Sequence, residues 1–505
     1  MTRRTYGDAV AALNSIQTNF AVIDAIRKSG RRNNEVAIPE MIEWCRRAGF
    51  QPRDFDQLNA IHIAGTKGKG STSAFIASIL AQYPNAAGSA SKIGLYTSPH
   101  LRFVRERIQI NNEPISEQAF ADSFFEVWDR LEEAAKAAGQ PTDAPMKPAY
   151  FRFLTLMAFY TYLKKKVDTC VIECGIGGEY DSTNVLLAPS VTGITSLGID
   201  HTAVLGSTIE EIAWHKSGIM KAGAAAYTVP QPEKAMEVLQ NRAQEKGVDL
   251  HLVQCHPELA SGNVRLGLEG EFQKLNASLA IQVAADYLRK NGHAHLTTKT
   301  LPNEFVCGLQ QVRWGGRCET RQKHGLTWHL DCGHTVESVR EAAKWFKSCL
   351  APKSSNSTPT STPRILVFNQ QQRAGRPLLH ELHAELSPSS PAGKPFTHAI
   401  FCSNVTFRTS GYKPDLVSVN ADGKGVQSLD VQRELATTWK EIDEADGMRG
   451  AEVHVVATVE EAVDLCRSIA KERGEGRVDV LATGSVHLVG GVLEVLDGQA
   501  EGGAR

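Results

Sequence analysis

The segment Gly65-Thr66-Lys67-Gly68-Lys69-Gly70-Ser71-Thr72 sets lysines and hydroxyls among closely spaced glycines. That pattern suits a phosphate. Glycines let backbone N–H groups approach an anion closely. Lys69 would reach the outer phosphates, and the Ser71 hydroxyl could hold a metal ion. The spacing departs from the common GxxxxGK[ST], because Gly70 separates Lys69 from Ser71. Out of context the segment is only a glycine turn with solvated lysines. A second candidate is Glu173, which ends an apolar run before Cys174-Gly175-Ile176-Gly177-Gly178. A carboxylate there suits Mg²⁺, which prefers hard oxygen donors; the plainer reading is a capping glutamate in a glycine turn. Asp181-Ser182-Thr183-Asn184 follows and could shape the same rim. Asp200 and His201 close the next apolar run, and the reading places them beside Glu173 across neighbouring strands. A histidine so placed is otherwise a hydrogen-bonded structural group. Lys216 lies in a helical stretch that could turn it back toward these residues, although solvent is the default for a helical lysine.

The elements around these residues give them their context. Asn59–Ala64 (NAIHIA) reads as a short strand leading into the glycine turn, and a helix starts near Ser71. A helix N-terminus there adds its positive dipole end to the loop. Strands are predicted at Val167–Cys174 and Ser190–Ser196. Helices are predicted over 8–28, 38–48, 116–138, 150–165, 208–220 and 272–290. Alternating strands and helices imply a parallel sheet covered on both faces, with ligands beyond the carboxyl ends of its strands. A second alternating series starts near 326. Its strands are expected at 326–331, 364–369, 399–403, 452–457 and 478–482, with a helix over 336–349. The fold class is therefore α/β in two domains, divided at 304/305. The Ser/Thr/Pro-rich stretch 353–363 reads as a disordered insertion in the second domain, and 386–394 as a similar loop.

Composition excludes several classes. Lys and Arg total 55 against 56 Asp and Glu, a net charge of -1, so there is no general basic field for nucleic acid or a membrane surface. No apolar run is long enough to span a bilayer. The ten cysteines form no CxxC pair and read as reduced, mostly buried thiols. The opening MTRRTYGDAV lacks an apolar signal core, and Gly503-Ala504-Arg505 is no peroxisomal or ER-retention address. The expected compartment is the cytoplasm; a mitochondrial form made from an upstream start would leave no trace in this sequence.

Taken in order, the segments resemble the folylpolyglutamate synthases of the Mur ligase superfamily, over nearly the whole chain. GTKGKGS at 65–71 looks like that family's phosphate loop, extra glycine included. YTSPHL at 96–101, running into RERI at 105–108, looks like its substrate-side loop. ECGIGGEYDSTN at 173–184 and DHTAVLGSTIEEIAWHKSGIMK at 200–221 are similar to its metal and lysine segments. RWGGR at 313–317, LDCGHT at 330–335 and ATGSVHLVGG at 482–491 follow in the second domain. YGDAVAALNSIQTN at 6–19 resembles eukaryotic members in particular. Where relatives often read Asp-Gly-Ala-His, this chain has Asp331-Cys332-Gly333-His334. Gly315 replaces a proline often seen in Trp-Pro-Gly-Arg.

The resemblance implies an N-terminal P-loop-containing Mur-ligase-type ATPase domain and a smaller C-terminal Rossmann-like domain. It implies that Lys69 and the loop backbone hold ATP phosphates. Ser71, Ser98, Glu173 and His201 would serve two Mg²⁺ sites. Lys216 matches a lysine that is carbamylated in relatives, which would add a further metal ligand. Asn276, Arg317 and Asp331 would contact the nucleotide, and His334 the reacting phosphate or acyl group. Ser98, Pro99 and His100 lie on the acceptor side, and Ser485 and His487 beside the glutamate pocket. The implied reaction joins L-glutamate to the γ-carboxyl of a reduced folate through an acyl phosphate, giving ADP and phosphate. The two domains would close to bring Arg317 and His334 to the phosphates. A K⁺-like monovalent cation and a monomeric chain are also implied. Dihydrofolate synthase, which glutamylates dihydropteroate, is the nearest alternative. A cell-wall-type Mur ligase and a non-catalytic nucleotide-binding module are the others.

Overall fold

The computed structural model describes residues 4–17, 35–84, 91–139, 145–350, 363–371, 374–387, 394–411, 414–416, 428–445, 450–472 and 477–498. The chain divides into two compact units. One comprises Met1–His100, Val104–Gly267 and Phe272–Arg313; the other comprises Leu101–Phe103, Leu268–Glu271 and Trp314–Arg505.

The first unit carries strands β1 (Ile61–Ala64), β2 (Ile93–Tyr96), β3 (Ile108–Ile110), β4 (Glu113–Pro114), β5 (Thr169–Glu173), β6 (Val191–Ile194), β7 (Ala225–Thr228) and β8 (Leu250–Leu252). Their order is β4-β3-β2-β5-β1-β6-β7-β8. The pairs from β2 through to β8 are parallel, while β3 and β4 form an antiparallel edge. β1, β5 and β6 are short, rich in Ile and Val, and buried along their whole length. Continuous apolar runs of this kind are what a parallel sheet covered on both faces requires.

The helices are α1 (Tyr6–Ser15), α2 (Ala37–Arg47), α3 (Lys69–Leu80), α4 (Glu117–Ala137), α5 (Tyr150–Lys165), α6 (Ile209–Lys216), α7 (Glu233–Lys246), α8 (Phe272–Lys290) and α9 (Asn303–Gln311). α3 is buried from Ser71 to Leu80. It is buried on every face, with small hydroxyl side chains among the apolar ones, because it sits inside the unit rather than on its surface. An aromatic core of Phe120, Phe124 and Phe153 joins α4 to α5, and Tyr6 brings α1 onto it with its ring 5.3 Å from that of Phe120.

Three expectations change here. The helix expected over 8–28 ends at Ser15, where Ile16 turns its amide back to Leu13 and Asn14; residues 18–34 lie outside the described residues. β5 and β6 are not neighbours, because β1 runs between them. Local pattern fixes strands but not their order, and the crossover from β1 to β2 leaves room for β5 to insert. The division falls at 313/314 rather than 304/305. α9 belongs to the first unit: Ser78 Oγ donates to the Gly308 carbonyl at 2.7 Å, and a Cβ on Gly308 would stand 2.7 Å from Ile79 Cα.

The second unit has strands β9 (Glu319–Lys323), β10 (Leu326–Leu330), β11 (Arg364–Phe368), β12 (His398–Cys402), β13 (Glu452–Val456) and β14 (Val478–Thr483), ordered β13-β12-β11-β14-β10-β9. All are parallel except β9, which pairs antiparallel with β10. Helices α10 (Val336–Leu350), α11 (Arg376–Leu386), α12 (Asp430–Ala445), α13 (Val459–Glu472) and α14 (Val486–Gly498) cover it. β14 returns between β10 and β11, so the loops after these three strands share one edge. The insertion expected over 353–363 lies outside the described residues except for Pro363, as do residues 388–393 of the loop expected over 386–394. Both units fit the α/β class.

Candidate active site

β1 delivers the chain into the glycine loop, and the loop is fitted to its surroundings atom by atom. Gly65 (φ 147°) leaves room for Thr195: a Cβ there would stand 1.8 Å from Thr195 Oγ1. Gly68 (φ 86°) leaves room for Asn276, whose Oδ1 would be 2.2 Å from such a Cβ. Thr66 and Lys67 donate their amides to the Ser196 carbonyl at 3.0 and 3.1 Å. These two amides hold the loop against the end of β6. The amides of Lys69, Gly70 and Ser71 precede the first intrahelical bond, from Thr72 to Gly68 O at 2.8 Å, and are donors of the kind a helix start can offer an anion.

The cations gather on one carbonyl. Lys69 Nζ donates to Gly65 O at 3.0 Å, and Lys216 Nζ donates to the same oxygen at 2.8 Å. Lys216 is 2% exposed, so the solvated reading of this lysine does not hold. Burial is the main cause that lowers its pKa to about 7, and the neighbouring Lys69 lowers it further. Glycines bring α6 this close. A Cβ on Gly178 would lie 2.5 Å from His215 O and 2.9 Å from Lys216 O, and one on Gly218 would lie 2.3 Å from Glu179 Cα. Glu179 in turn takes an ion pair from Arg242 of α7 at 2.6 Å.

Glu173 is 3% exposed and ends β5 beside β1, in register with Ile63. Its Oε2 accepts the Ser98 amide at 3.1 Å. The segment after β2 and the strand-end carboxylate are thus joined. Pro99 follows across a cis peptide bond, and His100 Nδ1 accepts from Arg107 Nε at 3.0 Å. Ser71 Oγ accepts from Gln273 Nε2 at 3.2 Å, and Gln273 Oε1 accepts from Asn276 Nδ2 at 2.9 Å. Thr72 turns inward, with its hydroxyl 3.5 Å from the Asn276 carbonyl.

Asp200 and His201 follow β6, which β1 separates from β5, so the neighbouring-strand arrangement expected for them and Glu173 is not met. Asp200 Oδ2 accepts from Lys67 Nζ at 3.0 Å, and its Oδ1 accepts the His201 amide at 2.7 Å. His201 is an exposed residue in left-handed conformation (φ 52°) on the segment that follows β6. Among the described residues no three His, Cys, Asp or Glu side chains group as a metal cage. Mg²⁺ needs no such cage, since it keeps waters and binds through one or two carboxylates and substrate phosphates. The buried Glu173 carboxylate and the Ser71 hydroxyl beside the loop are the right donor types for it. Sequence reasoning missed Thr195 and Gln273. For Gln273 the signal was present: it stands one turn before Asn276, on the same face of a buried helix.

In the second unit Asp331 follows β10. Its Oδ2 accepts the Cys318 amide at 2.9 Å, and its Oδ1 accepts the Gly333 amide at 2.8 Å. Burial pushes this carboxyl up, opposed first by the Arg317 guanidinium and then by those two amides. Arg317 Nη1 also donates to Gly316 O at 3.0 Å. His334 is fixed by its Nδ1, 2.9 Å from the Cys332 carbonyl, and by its amide, which donates to Ser338 Oγ at 3.0 Å. Ser485 stands where β14 meets α14, with its carbonyl accepting the Val489 amide at 3.1 Å, and His487 follows in the first turn. All ten cysteines are free thiols, and seven of them are buried. No described helix is long and apolar enough to cross a membrane.

Known proteins share this organisation. No family model matches the chain. A folylpolyglutamate synthase of Neurospora crassa is 46% identical over 497 residues, covering 98% of this chain and 92% of its own. One of Saccharomyces cerevisiae is 45% identical over 505 residues, covering 98% and 88%. The crystal structure of the Mycobacterium tuberculosis folylpolyglutamate synthase, complexed with ADP and AMPPCP, superposes with a TM-score of 0.68 at 21% identity, over 95% of this chain and 98% of that one. An FPGS–AMPPCP–folate complex gives a TM-score of 0.66 at 20% identity, over 97% and 99%. At such identities the structures speak for the two-unit α/β fold; the sequence relatives speak for descent. The chain belongs to the folylpolyglutamate synthase family.

Proposed function

We propose that the protein is an ATP-dependent ligase that adds L-glutamate to the γ-carboxyl of tetrahydrofolate and its polyglutamates, with release of ADP and phosphate. The observation that carries this reading is the convergence of Lys69 and Lys216 on the Gly65 carbonyl, next to the strand that ends in Glu173. The Lys69 ammonium on the loop favours a polyphosphate, and the buried Glu173 carboxylate and a carbamylated Lys216 near it favour the counter-ion.

A carboxylate is a poor acyl donor because oxide is a poor leaving group. In the first step a γ-carboxylate oxygen of the folate forms a bond to the γ-phosphorus of ATP, and the bond from that phosphorus to ADP breaks. Lys69 and the first amides of α3 stabilise the charge on the transferring phosphoryl group. In the second step the glutamate amine attacks the acyl carbon, phosphate leaves, and the amine gives up a proton. Arg317 and Asp331 are assigned to the nucleotide, as are the loop residues Gly65 to Thr72 and Asn276. His334 is assigned to the reacting phosphate or acyl group. Ser98, Pro99 and His100 are assigned to the acceptor, and Ser485 and His487 to glutamate.

Ser71, Ser98, Glu173 and His201 would serve two Mg²⁺ sites, and a carbamylated Lys216 would add a further ligand. Mg²⁺ bound there supplies charge neutralisation on the phosphates. The lowered pKa of Lys216 supports carbamylation, because only a neutral amine adds CO₂. A K⁺-like monovalent cation, a monomeric chain, a cytoplasmic location and a mitochondrial form complete the proposal.

The test is incubation with ATP, Mg²⁺, tetrahydrofolate and labelled glutamate, with the folate followed by mass. A ladder of glutamate additions matched by ADP is expected. Formation of AMP would overturn the mechanism. Addition to dihydropteroate alone would move the assignment to the sister synthase.

A further inference from the structure

Arg107 closes the turn Val104–Arg107 and is only 8% exposed. Its carbonyl accepts the Thr97 amide at 3.1 Å, and the next residue, Ser98, donates its own amide to Glu173. The arginine therefore stands on the same arm that meets the strand-end carboxylate.

A guanidinium has five N–H donors and does not give up its charge. Taken out of water, it pairs with carboxylates. Two other arginines of the chain do this. Arg242 binds Glu179 and Glu245 at 2.6 and 3.0 Å, and Arg102 binds Glu494 and Asp497 at 2.9 and 2.6 Å. Arg107 is at least as buried and has no carboxylate partner among the described residues. Its Nε donates to His100 Nδ1 at 3.0 Å, and its guanidinium carbon lies 5.6 Å from the centre of the Tyr150 ring. Because Nε is always protonated, His100 Nδ1 must be bare, and the neutral ring carries its proton on Nε2. Both neighbours hold the guanidinium in place without neutralising it. None of its nitrogens is sealed away without a partner, so the Nη atoms, which have no acceptor among the described residues, are not fully enclosed. A fixed, uncompensated fork of donors at an accessible edge fits one kind of ligand, a planar anion taken in two parallel hydrogen bonds.

We propose that Arg107, held by His100 and Tyr150, binds the non-reacting carboxylate of the acceptor's terminal glutamyl residue and selects an acceptor that already carries a glutamate. The inference rests on the reading of the reaction as glutamyl addition to a folate. A glutamyl terminus brings two carboxylates. The γ-carboxylate is phosphorylated; the α-carboxylate stays an anion throughout and needs a partner. A pteroate-type acceptor has a single carboxylate, the reacting one, and nothing to offer Arg107.

The experiment compares tetrahydrofolate with its α-carboxamide in the wild-type chain, in Arg107→Gln and in Arg107→Lys, with glutamate addition followed by mass. Arg107→Gln is expected to raise the KM for tetrahydrofolate roughly 10- to 100-fold, the size of a lost buried charge contact. The KM for ATP stays within about twofold of wild type, since no phosphate contact is removed. The carboxamide loses a similar factor with the wild type and loses nothing more with Arg107→Gln. Arg107→Lys recovers part of the affinity. A wild-type KM in Arg107→Gln overturns the proposal, and so does a carboxamide penalty that persists undiminished in that variant. Should Arg107→Gln fail to fold, the wild-type chain decides alone: equal use of tetrahydrofolate and its carboxamide overturns the proposal. Failure of the wild type to glutamylate any folate is a different result, which removes the reaction itself.

Discussion

The edge of the first unit around Gly65 and the edge of the second around Asp331 solve opposite problems. Around Gly65, positive groups crowd one another: two lysines share a carbonyl, and burial already drives Lys216 toward neutrality. Around Asp331 a single carboxylate has an amide on each oxygen and Arg317 nearby, with burial still holding its pKa above the ordinary carboxylate value. The first edge is poised for an anion to be added; the second already has a hydrogen bond on each carboxylate oxygen. Substitutions at the first should therefore remove turnover and spare the fold, whereas substitutions at the second should touch stability first.

The largest effects test the first half of that contrast. Lys69→Ala and Glu173→Ala are each expected to lower turnover by about 10²- to 10³-fold or more, the range seen when a preorganised charge partner is lost. The thermal midpoint of Lys69→Ala should hold or rise, because a repelling charge is gone. Steady-state rates and melting curves on the same samples decide this. Near-normal turnover in both variants would detach the phosphate chemistry from this edge.

Lys216 sharpens the contrast through pH. Its folded pKa of about 7 lies below the ordinary 10.5, so between those values the folded chain binds fewer protons than the unfolded chain. Stability then climbs as pH rises through that window and falls as pH drops toward 7. Lys216→Met should lack this slope, melt higher than wild type near pH 7, and be inactive. Activity of the wild type should respond to bicarbonate more strongly above pH 7 than below, because the neutral amine is the form that adds CO₂. A Lys216→Met variant with the wild-type slope would place the titration elsewhere.

How far the sequence revealed these two edges depends on the kind of contact. Strands such as Ile61–Ala64 and Val478–Thr483 announce themselves by apolar runs, and the glycine loop by composition. Glu319–Lys323 does not, since its alternating polar residues look like a loop until Leu326–Leu330 pairs with it. Strand order was invisible for a related reason: nothing in Thr169–Glu173 says that it will lie beside β1 rather than β6. Lys216 was legible only by resemblance. Its burial arises from two glycines far apart in the chain, Gly178 and Gly218, which let backbones touch. The missing carboxylate of Arg107 could not be read at all, because the absence of a partner is a property of the folded neighbourhood.

Asp331→Asn probes the second edge. The two oxygens of Asp331 each accept a different amide, and an asparagine can answer only one of them. The other amide would face an NH₂ group, a buried mismatch that costs about 1–3 kcal/mol of stability. Denaturant unfolding should show the loss even without nucleotide. An unchanged unfolding free energy would mean that the clamp is not what keeps this edge in shape.

The smallest effect concerns Gly315, where relatives often carry proline. Its φ is outside the left-handed range that needs glycine, and its amide donates no backbone hydrogen bond. A Cβ there would stand 2.9 Å from the Leu101 Cδ2 methyl, the end of a flexible side chain that must turn aside, and 3.7 Å from Glu319 Oε2. Gly315→Pro should therefore stabilise the protein by about 0.4–1 kcal/mol, through the unfolded chain's lost freedom rather than any new contact. Arg317 and Asp331 keep their partners, so the KM for ATP should stay within about twofold, as expected when no ligand contact is removed. A rise in stability with unchanged ATP affinity would confirm that the second edge is rigid before its ligand arrives. A loss of stability would show that the turn before Arg317 uses a backbone geometry only glycine supplies, and that this edge too is strained.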